Sequence, residues 1–515
     1  MKKVLLLIVD ALSSRVVNPA LERGELPNLR RLTERGHLAP ESTTVFPSLT
    51  PAATASLVTG RYPAAHEIAG AFWFDDDNNE VAYYCDDFWL ILRKGFSEFF
   101  EDFLVRLNGD RIRAPTAFEI VERAGRHAAS LNYLWFRGLV EHDVQVPGLL
   151  NLLPGVSRHQ QVMGPQTLYL GDFVRASDRG PSTSTESESA GVFRRYGFED
   201  QTTATELIEM AHADKLPDFT LAYFPDNDFE SHKVGPDGAL PVVEKFDATL
   251  GDLLEACGGI DSALDQYVLV ITGDHSQSLL VDDEPAVYLD QILKDSSVAK
   301  AGQPWTEGDE VMICPNMRAA QIYIRDENRS VRERVVDRLL SNERVDQVFS
   351  RRPPVGGRPE AFRIDTADRG SLTFWSGETD NSAATDHYGN AWHWEGDLRT
   401  IDASCGADDE KIIYGDYTNA MERIAMGFAT VSGDLWLTAR LGYEFAVRET
   451  SVNPRGSHGS LHKADSTSPL VVCGANNFCL PDQPRAIDVL PLCLRELKID
   501  SEMTKSTKPE LCSLR

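Results

Sequence analysis

The sequence predicts an α/β chain: a three-layer sandwich with a central, mostly parallel sheet and a smaller α+β insertion domain. Three observations predict it. Apolar runs without polar alternation recur at residues 4–9 (VLLLIV), 219–224 (FTLAYF), 267–272 (YVLVIT) and 469–473 (PLVVC). Such runs suit parallel strands covered on both faces. Helical periodicity lies between them, at residues 26–35, 204–212 and 242–256, and alternating strands and helices build layered sheets. The third observation is length: 515 residues suffice for a main domain and an inserted one.

The first run closes on Asp10 after six apolar residues. A secretory apolar region is longer and precedes a small-residue cleavage site, so residues 4–9 read as a buried first strand. No stretch approaches the ~18 apolar residues that span a bilayer. The eight cysteines form no C-x-x-C pair. That gives no support to a thiolate zinc knuckle, and their low density suits a reducing compartment. The expected location is the cytoplasm.

Residues 1–305 read as the first part of the core, 306–432 as the insertion or cap, and 433–515 as the returning core. The insertion contains a strand at 320–324, a helix at 331–340 and a Gly-, Asp- and Trp-rich tract at 379–401. Asp386, His387 and His393 read as a loop near the mouth of a site. Residues 181–190 (PSTSTESESA) read as a mobile loop. The aromatic stretch 88–107 reads as core or as the lining of an apolar pocket.

Hydrophobic residues make up 42% and charged residues 25%, ordinary for a soluble globular protein. The net charge of −28 repels polyanions, so nucleic-acid polymers are not expected partners. A small anionic substrate remains compatible, because bound divalent metal reverses the local field. A homo-oligomer is left open.

Polar residues fall where the strands end. In open α/β sheets, ligands bind outside the carboxyl ends of the strands. Asp10 there is either a metal ligand or a helix cap. Thr50, Pro51 and Gly60 fit an N-cap, a first helical position and a C-terminal stop. The same geometry would place the Thr50 hydroxyl where helix N–H groups attract a phosphate. Asp228 and His232 are spaced i,i+4, which can put both on one helical face. That pair suits Zn²⁺ or a similar ion. Asp274-His275 follows the third strand, and His458 lies between small residues in the segment GSHG.

These segments, in this order, resemble the type I phosphodiesterase/nucleotide pyrophosphatase branch of the alkaline-phosphatase superfamily. They are also similar to the phosphonoacetate hydrolases of that clan. The carrying motifs are VLLLIVDA, FPSLTPAATASLVTGRYPAAHEI, PDNDFESHKVGP, VLVITGDHSQS and GSHGSLHKADSTSPLVV. The resemblance implies an alkaline-phosphatase-like core and a phosphoester hydrolase with Thr50 as its nucleophile. It implies one metal among Asp10, Thr50, Asp274 and His275. A second lies among Asp228, His232 and His458, with His462 as the other candidate. Two divalent ions are expected, Zn²⁺ first, with Mn²⁺ or Fe²⁺ compatible. The substrate would be small and phosphorylated, or a phosphonate. A phosphomonoesterase, a C–P hydrolase or a catalytically silent metal binder are the other readings. One departure bears on substrate. The family's asparagine after the nucleophile helix falls at Ala71, so a phosphoryl-binding amide is missing there.

Overall fold

The computed structural model describes residues 1–76, 78–84, 102–145, 160–177, 192–354, 359–377, 383–406, 411–475 and 480–500. The segment 181–190 and residues 88–101 of the aromatic stretch lie outside them.

Eight strands form the central sheet: β1 (Lys3–Val9), β2 (His37–Thr43), β3 (Ala128–Leu131), β4 (Thr167–Leu170), β5 (Val174–Ser177), β6 (Phe219–Phe224), β7 (Tyr267–Gly273) and β8 (Thr467–Cys473). Their order is β2-β8-β7-β1-β6-β3-β4-β5. β1 lies parallel to both neighbours, with Val4 opposite Phe219 of β6 and Val268 of β7. The fourth apolar run departs from expectation. β8 is antiparallel to β7 and to β2. An unbroken apolar run reports that both faces are covered; it carries no information on direction.

Side chains of β1 alternate between two layers. Val4, Leu6 and Ile8 pack with Ala55, Leu57 and Leu490. Leu5, Leu7 and Val9 pack with Val17, Leu207 and Phe246. Fully burying such a side chain contributes roughly 1.5–3 kcal/mol, so this one strand joins both helical layers. The helices that matter for the site are α1 (Ser14–Arg23), α2 (Thr50–Thr59), α3 (Asp200–His212), α4 (Asp226–Val234) and α5 (Leu240–Ala256). No helix among the described residues is long and apolar enough to cross a membrane.

A second sheet of ten strands begins with Val311–Asn316 and Ala319–Ile324. Asn328 caps its helix, Arg329–Leu340, by accepting the Ser330 and Val331 N–H groups at 3.1 and 3.3 Å. The strand Leu435–Ala439 pairs with Ala319–Ile324 on one side and with Val345–Arg352 on the other. The sheet therefore draws on residues beyond 432. The Asp386 cluster is no free loop either. Ala384–Asp386 and Ala391–Gly396 form a hairpin. Asp386 is buried and anchors it, accepting from the Tyr388 and Asn390 N–H groups, the Trp392 indole and the Tyr414 hydroxyl.

Candidate metal centre

Parallel pairing sets the site's geometry. Because β1, β6 and β7 are parallel neighbours, the residues that follow them share one edge of the sheet. Asp10 follows β1, Asp274 and His275 follow β7, and α4 after β6 carries Asp228 and His232. His458 enters from a loop whose first residues, Gly456–Ser457, pair antiparallel with Ser278–Leu279.

Thr50 differs from the sequence expectation in a telling way. The cap position belongs to Leu49, which is extended, and Thr50 is the first residue of α2. Its hydroxyl caps nothing. Instead Thr50 Oγ1 lies 2.9 Å from His275 Nε2. Pro51, second in the helix, has no N–H to leave unpaired there, and Gly60 stops the helix at φ +62°.

Five of the predicted ligands converge as two joined groups that share His275, and His232 lies beside Asp228 outside both. Asp10, Asp274 and His275 can offer one donor atom each to a common point, as can Asp228, His275 and His458. His275 Nε2 is 3.3 Å from Asp10 Oδ1 and 3.5 Å from Asp274 Oδ2. Asp228 is 3.2 Å from His232 Nε2 and 3.6 Å from His458 Nε2. The His275 and His458 rings stack at 3.8 Å. His462 stays apart. Its Nδ1 accepts the Ala464 N–H at 3.0 Å, and its Nε2 faces Asp416 at 3.7 Å.

Each imidazole has one nitrogen committed. Nδ1–H of His232 donates to the Gly456 carbonyl, that of His458 to Ser48 and that of His275 to Ser276, at 2.8, 2.8 and 3.1 Å. A carbonyl only accepts, so in the neutral ring each Nε2 presents a lone pair. The carboxylates show the same division. Asp274 Oδ1 accepts the Ala11 and His275 N–H groups at 3.1 and 2.9 Å, and its Oδ2 is buried without a partner. Asp10 Oδ2 accepts the Tyr223 hydroxyl, and its Oδ1 is likewise orphaned, as is His458 Nε2. Buried acceptors aimed at one another cost free energy unless a cation sits among them. Three carboxylates, three imidazoles and a hydroxyl fit Zn²⁺, Mn²⁺ or Fe²⁺.

Protonation in the bare site reflects this crowding. Burial, with the Asp274 and Asp228 charges, pushes Asp10 well up. Burial pushes Asp274 up to about 7. Burial opposes ionisation of Asp228, yet His232, His458 and His275 hold it well below the usual carboxylate range. Burial alone would lower His232, but the Asp228 charge lifts it to about 9.

Supporting residues escaped the sequence reading. Tyr223 fixes Asp10, and Asn227 Nδ2 donates to the Asp10 and Ala11 carbonyls at 2.8 and 3.0 Å. The Gln277 amide donates to the Asp228 carboxylate. Trp135 donates to Thr54 Oγ1 and the Pro51 carbonyl, and Tyr133 to the Thr54 carbonyl, pinning the first turns of α2. These act through tertiary proximity, and only the place of Tyr223 near the end of a predicted strand could have pointed to one of them. At the departure noted above, the Ala71 and Phe72 N–H groups donate to Asn316 Oδ1 at 2.8 and 3.0 Å.

Comparison with known proteins agrees with this architecture. Human ectonucleotide pyrophosphatase/phosphodiesterase 5 superposes with a TM-score of 0.53 at 16% identity, over 97% of this chain and 96% of that one. The murine protein of the same name gives 0.54 at 15%, over the same shares. An inactive threonine-to-alanine variant of the murine protein, in complex with AMP, gives 0.54 at 14%, again over 97% and 96%. At these identities the likeness establishes the fold. The family model for type I phosphodiesterase/nucleotide pyrophosphatase matches residues 4–461. The chain thus belongs to the type I phosphodiesterase/nucleotide pyrophosphatase family, whose members hydrolyse phosphoester bonds.

Proposed function

We propose that this protein cleaves small phosphodiesters of the nucleotide type through a phospho-threonine on Thr50, at a site for two divalent ions, Zn²⁺ being the best match. The observation that carries this reading is the set of orphaned acceptors, Asp10 Oδ1, Asp274 Oδ2 and His458 Nε2, beside the His275 ring to which the Thr50 hydroxyl is hydrogen-bonded. Bound divalent ions would lower the hydroxyl pKa and offset charge on the phosphoryl and leaving oxygens. Asp10, Thr50, Asp274 and His275 would hold one ion, and Asp228, His232 and His458 the other.

Thr50 does the covalent work. Its Oγ1 gives up its proton to solvent and bonds to phosphorus as the bond to the leaving oxygen breaks. The leaving oxygen keeps the electron pair and takes a proton from water. A second water then attacks phosphorus from the vacated side, and the Thr50 Oγ1–phosphorus bond breaks, restoring the hydroxyl. The N-terminus of α2 points N–H groups and a positive dipole end at the phosphoryl group throughout.

Charge favours a diester. Three carboxylates against two divalent ions leave a single net positive charge, and none once Thr50 ionises, so a monoanion would be held with less uncompensated charge than a dianion. The AMP bound to the murine relative supports a nucleotide-type substrate. Ala71 favours a second reading, a phosphomonoesterase or C–P hydrolase on the same site, because the family's phosphoryl-binding amide is missing there.

Bis-aryl diester, mono-aryl ester and phosphonate substrates, offered to protein with its metal content measured, test the reading. Diester turnover at least tenfold above the others supports it. A monoester or phosphonate preference selects the second reading, and two bound ions with no turnover of any substrate would leave a metal-binding protein without activity.

A further inference from the structure

The second sheet reaches behind the metal centre. Its first hairpin turns at residues 316–318 and enters the core there. Arg318 is only 1% exposed, and its partner is the fully buried Asp465. Arg318 Nη1 meets both Asp465 oxygens at 2.5 Å, while Nη2 and Nε donate to the Ala439 and Tyr443 carbonyls at 3.0 and 3.3 Å. The Arg318 backbone N–H donates to the carbonyl of His458 itself at 2.8 Å.

Asp465 carries the connection onward. It accepts the Ser460 N–H and hydroxyl at 3.0 and 2.6 Å. Its backbone carbonyl accepts the Ser276 N–H at 2.9 Å, one residue from His275. The approach is close. Gly459 has φ +119°, and a Cβ there would stand 2.8 Å from the Asn316 carbonyl oxygen. The ion pair therefore holds Ser460, two residues beyond His458, while backbone bonds tie its two members to the His458 carbonyl and the Ser276 N–H, beside two stacked imidazoles.

Stability alone does not call for this pair. Removing two charges from water costs several kcal/mol per ion, and well-packed apolar residues often replace a buried pair without loss. An apolar pair cannot supply directional bonds to the loop at 456–466. We propose that Arg318 and Asp465 are positioning residues through which the inserted sheet holds the His458 imidazole at the metal centre. The proposal rests on His458 being a metal ligand.

The double variant Arg318→Met/Asp465→Leu removes both charges together and so leaves neither one buried alone. Two readouts apply: ion content against graded chelator, and thermal unfolding of the metal-free protein. The expected result is one ion lost at about 10- to 100-fold lower chelator. The second ion stays, and metal-free unfolding stays within a few degrees of wild type. Arg318→Lys should recover part of the loss. Retention of both ions at the wild-type chelator midpoint overturns the proposal. Loss of both ions with a collapsed unfolding temperature also overturns it, since it shows a purely structural role. Wild-type protein that binds no ion would instead overturn the metal reading of His458. Should the double variant not fold, Ser460→Ala removes one donor to Asp465 without exposing a charge. It should shift the chelator midpoint in the same direction by a smaller factor, and an unchanged midpoint overturns the proposal.

Discussion

Thr50 Oγ1 lies 2.9 Å from His275 Nε2, and that imidazole is also within 3.5 Å of Asp10 and Asp274. A neutral ring whose Nδ1–H is given to Ser276 can accept from the threonine hydroxyl, but its lone pair faces two carboxylates. A cation held among them would resolve the conflict, and in the proposed reaction it would also lower the pKa of the hydroxyl.

Thr50→Ala should therefore remove turnover while leaving ions in place. Asp10, Asp274 and His275 remain to hold one ion, and the other group does not include Thr50. Loss of a covalent nucleophile costs on the order of 10³-fold or more in turnover. Thr50→Ser, which keeps the hydroxyl, should retain measurable activity. Steady-state rates with a bis-aryl diester and ion counts check both. A Thr50→Ala variant with more than a tenth of wild-type turnover would rule out the covalent role.

Ion binding should release protons, and more of them at lower pH. In the bare site the Asp228 charge raises His232 to about 9, against the effect of burial, and burial raises Asp274 to about 7. Both groups hold protons below those values, and a metal needs them bare. Affinity should climb with pH, releasing at least two protons below pH 7 and at least one between pH 7 and 9, with Asp10, also pushed well up, adding to the release. Calorimetry in buffers of different protonation enthalpy reads these numbers directly. Affinity independent of pH from 6 to 9 would contradict the assignment of His232 and Asp274.

What was legible in the sequence followed from local pattern. Asp10, Asp274 and His275 stand at the ends of runs whose apolar character marks them as sheet interior, and parallel neighbours carry such ends to one edge. Asp228 and His232 sit one helical turn apart, a spacing visible without coordinates. Other features depend on contacts that spacing does not encode. β8 runs antiparallel because of how the chain returns, not because of its composition. Thr50 reads as a cap because Thr-Pro usually opens a helix, yet Leu49 takes that place and frees the hydroxyl. Gln277 and Arg318 are ordinary polar residues until folding places them beside Asp228 and His458.

Trp135→Phe should weaken the seat of the nucleophile helix. The indole N–H donates to Thr54 Oγ1 at 2.9 Å and to the Pro51 carbonyl at 3.1 Å, inside a fully buried pocket. Phenylalanine leaves these acceptors without that donor, which costs about 1–3 kcal/mol. The unfolding midpoint in urea should fall with an unchanged slope, and turnover should fall with it because Thr50 begins the same helix. An unchanged midpoint would mean that the indole N–H does not stabilise α2.

The helix that carries Asp228 is tied to a neighbour through a pair of carboxylates that responds to pH. α3 and α4 exchange caps: the Asp200 N–H donates to the Asp226 carboxylate at 3.2 Å, and the Asp226 N–H to Asp200 at 2.9 Å. Burial, then the neighbouring Asp226 charge, raises Asp200 to about 8, with the Arg195 charge opposing. A carboxyl raised in the folded state binds its proton more tightly there than in the unfolded chain. Its contribution is fully present below about pH 4 and is lost as pH rises through about 8. Asp200→Asn keeps an acceptor for the Asp226 N–H but cannot ionise. Its unfolding temperature should decline less than wild type between pH 4 and 8, so that the variant is the more stable of the two at pH 8. Thermal unfolding of both proteins across that range decides it. Parallel curves would show that Asp200 ionises normally and that the shared caps carry no pH dependence.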